Sequence, residues 1–492
     1  MVACASGHRQ PRHAVVVGAL VVALAGTLRW IASLDDLWLD EIWSWWIVQT
    51  SVRTPLDVIL TLRHENNHFL NTCCIELLGP DAAGVWYRLP AVVLGALTVS
   101  LARTAVARAG ADAVRIVTTL VLPSYLLVHY SSEARGYAYQ LFFSLAAYVL
   151  LDRRLAVLEE SRMSGERGDT DVRDRALFAG ACVLGCLGHP GFLITFIALA
   201  GWALVASLRV LRAPVRAIGW TAGLFAVPGV LLSVLWVVNL SRMANGGGPD
   251  EDPWLVAVQS ASLAVGGPGD GWAALAIGLS VAMLVFLALA ERLRDRDDRW
   301  IVAVLTAMVP ALLIAVSDRL EVYPRYFLVT ILFGYLLLAE HLARWSRRGM
   351  AARIAVSAFL VLSLIGNGWQ IARLYRDGRG HGEAVLRLIA EASPPGPITI
   401  GSDAPYFRHA RLLQYFGRRL GVQGRLQYFA GRPWPEQGAG WVLLHSQSED
   451  WQAESVYRDA HGNAYELVRL FPHAGLSGWQ TGVYRSTRAD VD

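Results

Sequence analysis

The feature that most constrains this chain is the alternation of long apolar runs with short arginine-rich connections. A helix needs roughly 17 to 25 apolar residues to cross a bilayer core, and a backbone in hydrocarbon must satisfy its own hydrogen bonds, which favours helices. Runs of this kind lie near 14–28, 89–107, 114–130, 136–151, 176–188, 191–208, 217–240, 272–290, 300–317, 326–343 and 351–371, and predict about eleven transmembrane helices. Composition agrees: 54% of the 492 residues are hydrophobic and 17% charged, whereas a soluble domain carries about 25% charged residues. The first run follows His8, Arg9, Arg12 and His13, as in a signal peptide. No small-residue cleavage site precedes Trp30 and Trp38, so it reads as an uncleaved first span.

All 44 basic side chains are arginine, and they gather between the apolar runs rather than along one face, which argues for topology and against nucleic acid. With the N-terminus inside, the arginines within 103–115, 153–175, 209–216, 292–299 and 344–353 fall in inner loops. The outer loops hold chiefly Arg53, Arg63, Arg88, Arg135, Arg242, Arg319 and Arg325. His189-Pro190-Gly191 divides 176–208 into two spans, so the total is odd and the C-terminus lies outside. Beyond 371 the character changes. Pro394-Pro395-Gly396-Pro397 breaks the chain, and β-like pieces at 398–401, 441–445 and 466–470 alternate with an amphipathic stretch at 404–420. The expected fold is an α-helical polytopic membrane domain over 1–371 and a small extracytoplasmic α/β domain over 372–492. The five cysteines fit neither a disulfide framework nor a zinc spacing, and 159–175 reads as a solvated loop.

The polar residues gather on the outer side. The first outer loop, 35–88, opens Asp35-Asp36-Leu37-Trp38-Leu39-Asp40-Glu41-Ile42-Trp43. A carboxylate at the membrane interface can act as a base on an acceptor hydroxyl; tryptophan-rich segments also anchor proteins there and carboxylates cap helices. Further on stands Arg63-His64-Glu65-Asn66-Asn67-His68. His64 and His68 share a face if the segment is helical; the order is not that of a zinc protease, so an ordinary hydrogen-bonded helix entry outweighs a metal site, and the segment suits an anionic or sugar ligand. Two more islands are His129-Tyr130-Ser131-Ser132-Glu133-Ala134-Arg135-Gly136-Tyr137 and Asp318-Arg319-Leu320-Glu321-Val322-Tyr323-Pro324-Arg325-Tyr326. The arginine fork suits phosphate, so Arg135 and Arg325 are phosphate candidates; the alternative is local pairing of Glu133 with Arg135 and of Glu321 with Arg325. The outer loop 241–271 has glycine-rich flanks about a short apolar element, which suits either an interfacial lid or a connector. No glycine pattern makes a nucleotide loop.

Asp40-Glu41, the His64 to His68 segment, the Glu-Ala-Arg-Gly-Tyr turn at 133–137 and Tyr323-Pro324-Arg325-Tyr326 together resemble the polytopic GT-C glycosyltransferases. Within these the chain is similar to the bacterial relatives of dolichyl-phosphate-mannose protein mannosyltransferases and to the aminoarabinose transferases of lipid A. Many relatives have His-Pro-Pro where this chain has His64-Glu65-Asn66-Asn67-His68. The resemblance implies inverting transfer of one sugar from a polyprenyl-phosphate donor to a protein, lipid or glycan acceptor at the outer face of the cell membrane. It makes Asp40 the general base, with Glu41 orienting it or contacting the sugar. Arg135 and Arg325, with Arg63, would bind the phosphate, and His64, His68, Glu133, Tyr323 and Tyr326 would complete the donor site. No cofactor is certain, and a divalent metal is left open. A transporter or flippase is the competing reading; it calls for charges deep within spans and paired repeats, and the chain shows no repeat.

Overall fold

The computed structural model of the chain describes residues 12–64, 66–164, 172–243, 252–316, 322–402, 406–430, 434–448 and 451–488. His8, Arg9, Glu65, the glycine run within 244–251 and the stretch from Asp318 to Glu321 lie outside these residues, and with the last goes the alternative Glu321–Arg325 pair. In chain order the helices are α1 (Arg12–Ala32), α2 (Leu39–Ser51), α3 (Pro55–Leu60), α4 (Phe69–Leu78), α5 (Gly84–Val106), α6 (Ala111–Val121), α7 (Tyr125–Tyr130), α8 (Tyr137–Ser164) and α9 (Val172–Gly188). They continue as α10 (Phe192–Leu211), α11 (Pro214–Val238), α12 (Pro253–Ala264), α13 (Gly271–Arg294), α14 (Trp300–Val316), α15 (Leu328–Ser346), α16 (Met350–Asp377), α17 (Gly382–Ala392) and α18 (Tyr406–Arg419).

Every apolar run expected to span falls on a helix. Among the described residues, 7 stretches are both long and apolar enough to cross a membrane, on α1, α5, α10, α11, α13, α15 and α16. The remaining four runs lie on α6, α8, α9 and α14, which are shorter or carry more polar residues. One run is not continuous: 114–130 divides into α6 and α7 at Leu122-Pro123-Ser124. Pro123 disfavours helix at the residue before it and cannot donate to the preceding turn, and Ser124 Oγ caps the new helix by accepting from Leu127 N–H. The outward faces of α1, α11 and α13 expose Val16, Leu20, Ile218, Val230, Leu279 and Phe286, as lipid-covered helices do. α15 is the central helix, buried along most of its length, and packed on α5, α6, α8, α13, α14 and α16.

The C-terminal part is one mixed sheet of β1 (Ile398–Ser402), β2 (Leu426–Ala430), β3 (Trp441–Ser446), β4 (Val456–Arg458), β5 (Ala464–Phe471) and β6 (Gln480–Ser486), in the order β2-β1-β3-β6-β5-β4. β1 is parallel to β2 and to β3, with Ile400 opposite Trp441, and the other pairings are antiparallel. Its apolar core does not close on itself. Val385, Ile389, Ile400, Phe416 and Leu443 belong to one buried cluster with Leu37, Ile42, Trp45 and Tyr87 of the first loop, α2 and α5. Arg411 of α18 lies 3.6 Å from the ring centre of Trp43 and 4.2 Å from that of Trp46, a cation–π clamp. The tryptophans expected to anchor α2 at an interface therefore serve in part as packing for the sheet domain.

Candidate functional site

The site begins at the first turn of α2, where Asp40 and Glu41 sit together. Successive residues of a helix point about 100° apart, and these two carboxylates part company. Glu41 is fully buried and accepts from its own helix start at Trp38 N–H (3.1 Å), from Arg88 Nε (2.7 Å) and Nη2 (2.5 Å), and from Ala134 N–H (2.6 Å). Arg88, one turn into α5, also donates to the carbonyls of Ser33, Asp35 and Asp36. The Glu41–Arg88 pair therefore pins the approach to α2. A buried ion pair is sustained only by such dense hydrogen bonding. Asp40, by contrast, keeps 18% of its side chain exposed.

Asp40 Oδ2 accepts from Arg135 Nη1 and lies 3.6 Å from Arg325 Nη1. Arg135 comes from the turn between α7 and α8. That turn is fixed on both sides, with Asn71 Nδ2 donating to Ala134 O (2.5 Å) and Ala134 N–H donating to Glu41. Gly136 follows because a Cβ there would stand 2.2 Å from the carbonyl of Gly188. Arg135 Nη2 donates to Asn66 Oδ1 (2.9 Å), and its guanidinium lies 5.3 Å from the Tyr137 ring and 5.7 Å from the Trp38 ring. Arg325 arrives on a short 3-10 turn, Pro324–Phe327, ahead of α15. Its guanidinium sits 3.9 Å from the Tyr323 ring centre and 5.7 Å from that of Tyr326. Among the described residues, neither Arg135 Nε nor Arg325 Nε, both buried, has a hydrogen-bond partner.

His64 and the residues Asn66 to His68 lie in a hydrogen-bonded loop leading into α4, whose N-cap is His68, and not in a helix that would set both imidazoles on one face. Asn67 Nδ2 donates to the carbonyls of Val58 and Leu62, and Ser44 Oγ donates to Asn66 O. Asn67 thus ties the segment to the end of α3, while Ser44 of α2 satisfies the Asn66 carbonyl. His64 turns to the Trp43 ring (4.8 Å between centroids), and its Nδ1 accepts from Asn66 N–H. His68 stacks on His189 at 4.8 Å and lies 5.6 Å from Tyr137. Burial first, then the Arg135 charge, pushes His68 well below the ordinary imidazole range, so it is neutral. Gly191 N–H donates to His189 Nδ1, which leaves a neutral His189 with its proton on Nε2. Arg63 is exposed.

Glu133 takes a different direction from Arg135. Its carboxylate is fully buried, 3.1 Å from His129 Nε2, and accepts from Ser477 Oγ of the sheet domain (2.7 Å); Arg379 Nε is 3.5 Å away. The alternative of a local Glu133–Arg135 ion pair gives way to this contact across the domains. The structure thus gathers Asp40, Arg135, Arg325, Tyr323 and Tyr326, sets His68 behind Tyr137, and directs Glu41 and Glu133 into supporting networks. Asn66, Arg88, His189, Arg379 and Ser477 were not singled out from the sequence. Arg88 carried a signal, a charge one turn into an apolar helix. Among the described residues no group of three His, Cys, Asp or Glu side chains could hold a metal ion.

Chemically, among the described residues two guanidiniums meet one carboxylate here, so the cluster holds spare positive charge and spare donors for an anion. Two crystal structures of ArnT from Cupriavidus metallidurans are similar to this chain. The one bound to undecaprenyl phosphate is 13% identical over 95% of this chain and 97% of its own, with a TM-score of 0.48. The apo form is 14% identical over 96% and 98%, also with a TM-score of 0.48. No known family and no curated protein matches the sequence.

Proposed function

We propose that the chain is an integral-membrane glycosyltransferase that moves a sugar from a polyprenyl-phosphate donor to an acceptor hydroxyl at the outer face of the cell membrane, with inversion and with Asp40 as the base. One observation carries the reading: among the described residues, Arg135 and Arg325, each with a buried Nε that has no hydrogen-bond partner, converge on the one carboxylate of Asp40. An incoming phosphate competes for both guanidiniums and so frees Asp40 Oδ2 to face the acceptor. The acceptor oxygen then attacks the anomeric carbon as Asp40 takes its proton. The bond from that carbon to the phosphate oxygen breaks, and the electron pair leaves on the polyprenyl phosphate, which Arg135 and Arg325 stabilise. Asn66, Trp38 and Tyr137 hold Arg135 in line, and Tyr323 and Tyr326 do the same for Arg325.

The test is transfer from radiolabelled polyprenyl-phosphate sugars by purified protein in liposomes, wild type beside Asp40→Asn. Label should reach an acceptor, or slowly water, with wild type, and Asp40→Asn should lower turnover by at least about a hundredfold, the scale of a lost general base. Full activity in a folded Asp40→Asn sinks the mechanism. Lipid movement across the bilayer without any turnover would favour the flippase reading instead.

A further inference from the structure

The Asp40 site belongs to the membrane domain, yet the turn that aims Arg135 is held by the sheet domain. Arg379, just beyond α16, is buried and donates to the carbonyls of Ala32 (2.9 Å) and His129 (3.1 Å) and to Ser132 Oγ (2.8 Å). Its own backbone N–H donates to Asp35 Oδ2 at 2.6 Å. Ser477, in the loop before β6, completes the contact by donating to Glu133 Oε1 (2.7 Å) while its oxygen lies 2.9 Å from His129 Nε2. The two segments touch backbone to backbone. Gly478 has φ +93°, and a Cβ there would overlap the Arg379 carbonyl. Residues 132–134 are thus gripped by Arg379 and Ser477 on one side and by Glu41 and Asn71 on the other, and Arg135 is the next residue.

We propose that Arg379 and Ser477 are positioning residues for Arg135, so that the donor-phosphate site is complete only with the sheet domain seated. They touch no reacting atom; they fix the turn through Glu133 and Ser132, and a guanidinium displaced by about 1 Å loses alignment with a phosphate oxygen. The proposal rests on the glycosyltransferase reading.

It is tested on the full chain with Ser477→Ala, which removes one hydroxyl, with Arg379→Lys, and with Arg418→Ala as control, since Arg418 pairs with Asp81 on the exposed rim. Donor KM, acceptor KM, kcat, melting temperature and binding of undecaprenyl phosphate are measured for each. Ser477→Ala and Arg379→Lys should raise donor KM and weaken undecaprenyl phosphate binding by about tenfold, the worth of one hydrogen bond to a charged group. Acceptor KM should stay unchanged, and Arg418→Ala should match wild type. A lower melting temperature with wild-type donor KM and lipid binding would make the contact merely structural and overturn the proposal while leaving the glycosyltransferase reading intact. A wild-type protein that neither binds undecaprenyl phosphate nor transfers sugar would overturn that reading, and this inference with it.

Discussion

Two arginine–carboxylate clusters stand at opposite ends of α15, which at 19 residues is about 28 Å long. At the far end, Arg292 pairs with Asp297 at 2.5 Å and with Glu340, and Arg299 pairs with Asp297 at 2.7 Å and lies 3.8 Å from Glu340. Two guanidiniums there meet two carboxylates. Beside them Arg344 holds Asp295 at 2.5 Å and His341 holds Glu291 at 2.6 Å. At the near end, among the described residues, Arg135 and Arg325 share Asp40 alone, with Arg135 Nε and Arg325 Nε left over. Residue type is the same at both ends, and stoichiometry is what differs. Matched charges lock helices together; an unmatched guanidinium with a spare donor waits for an anion.

The largest effect that would break this contrast is at the near end. Arg325→Gln or Arg135→Gln should lower donor kcat/KM by about a hundredfold, as the loss of one transition-state donor does. Steady-state kinetics on the purified protein is the check, and a loss below about threefold at both positions would place the two clusters on the same footing. At the far end Glu340→Gln should behave in the opposite manner. It leaves Arg292 buried and short of a partner, which costs roughly 3 kcal/mol of stability and shows as a lower melting temperature in detergent. Turnover per folded molecule should stay at the wild-type level. A donor-specific rise in KM would mean that the far cluster also reads the substrate.

The same contrast explains how much could be read from the chain in advance. Helix positions were legible because bilayer thickness fixes a length and hydrocarbon fixes a composition. The break at Pro123 was legible in principle, since a proline with a serine after it both stops one helix and caps the next. Asp40, Arg135 and Arg325 stood out because a charge beside an apolar span needs a partner or a use. What the pattern missed is pairing over distance. Glu133 had a plausible partner two residues away in Arg135, but it found Ser477, which is 344 residues off, and Glu41 found Arg88, which is 47 residues off. Such partners depend on which helix ends meet, and a spacing rule sees only contacts within one helix. The shared face that His64 and His68 would have on a helix is not formed, for the same reason, although the helix entry is, with His68 as the N-cap residue of α4. The bonds that hold the segment reach outside it: Ser44 donates to the Asn66 carbonyl, and Asn67 donates to the carbonyl of Val58.

The smallest expected effect concerns Arg63, which the family resemblance placed with the phosphate ligands. In the structure it is exposed at the end of the α3 loop, whereas Arg135 and Arg325 keep only 3% and 11% of their side chains in solvent. An exposed guanidinium acts on an anion through water of high dielectric, where charges about 4 Å apart are worth about 1 kcal/mol before salt screens them. Arg63→Gln should therefore change donor KM by less than about twofold at physiological salt, and by somewhat more at low ionic strength, where steering of the lipid phosphate is less screened. Measuring donor KM for this variant across a salt series separates the two cases. A loss as large as that of Arg325→Gln, and insensitive to salt, would mean that the loop folds inward when the donor binds, so that the phosphate meets three guanidiniums and not two.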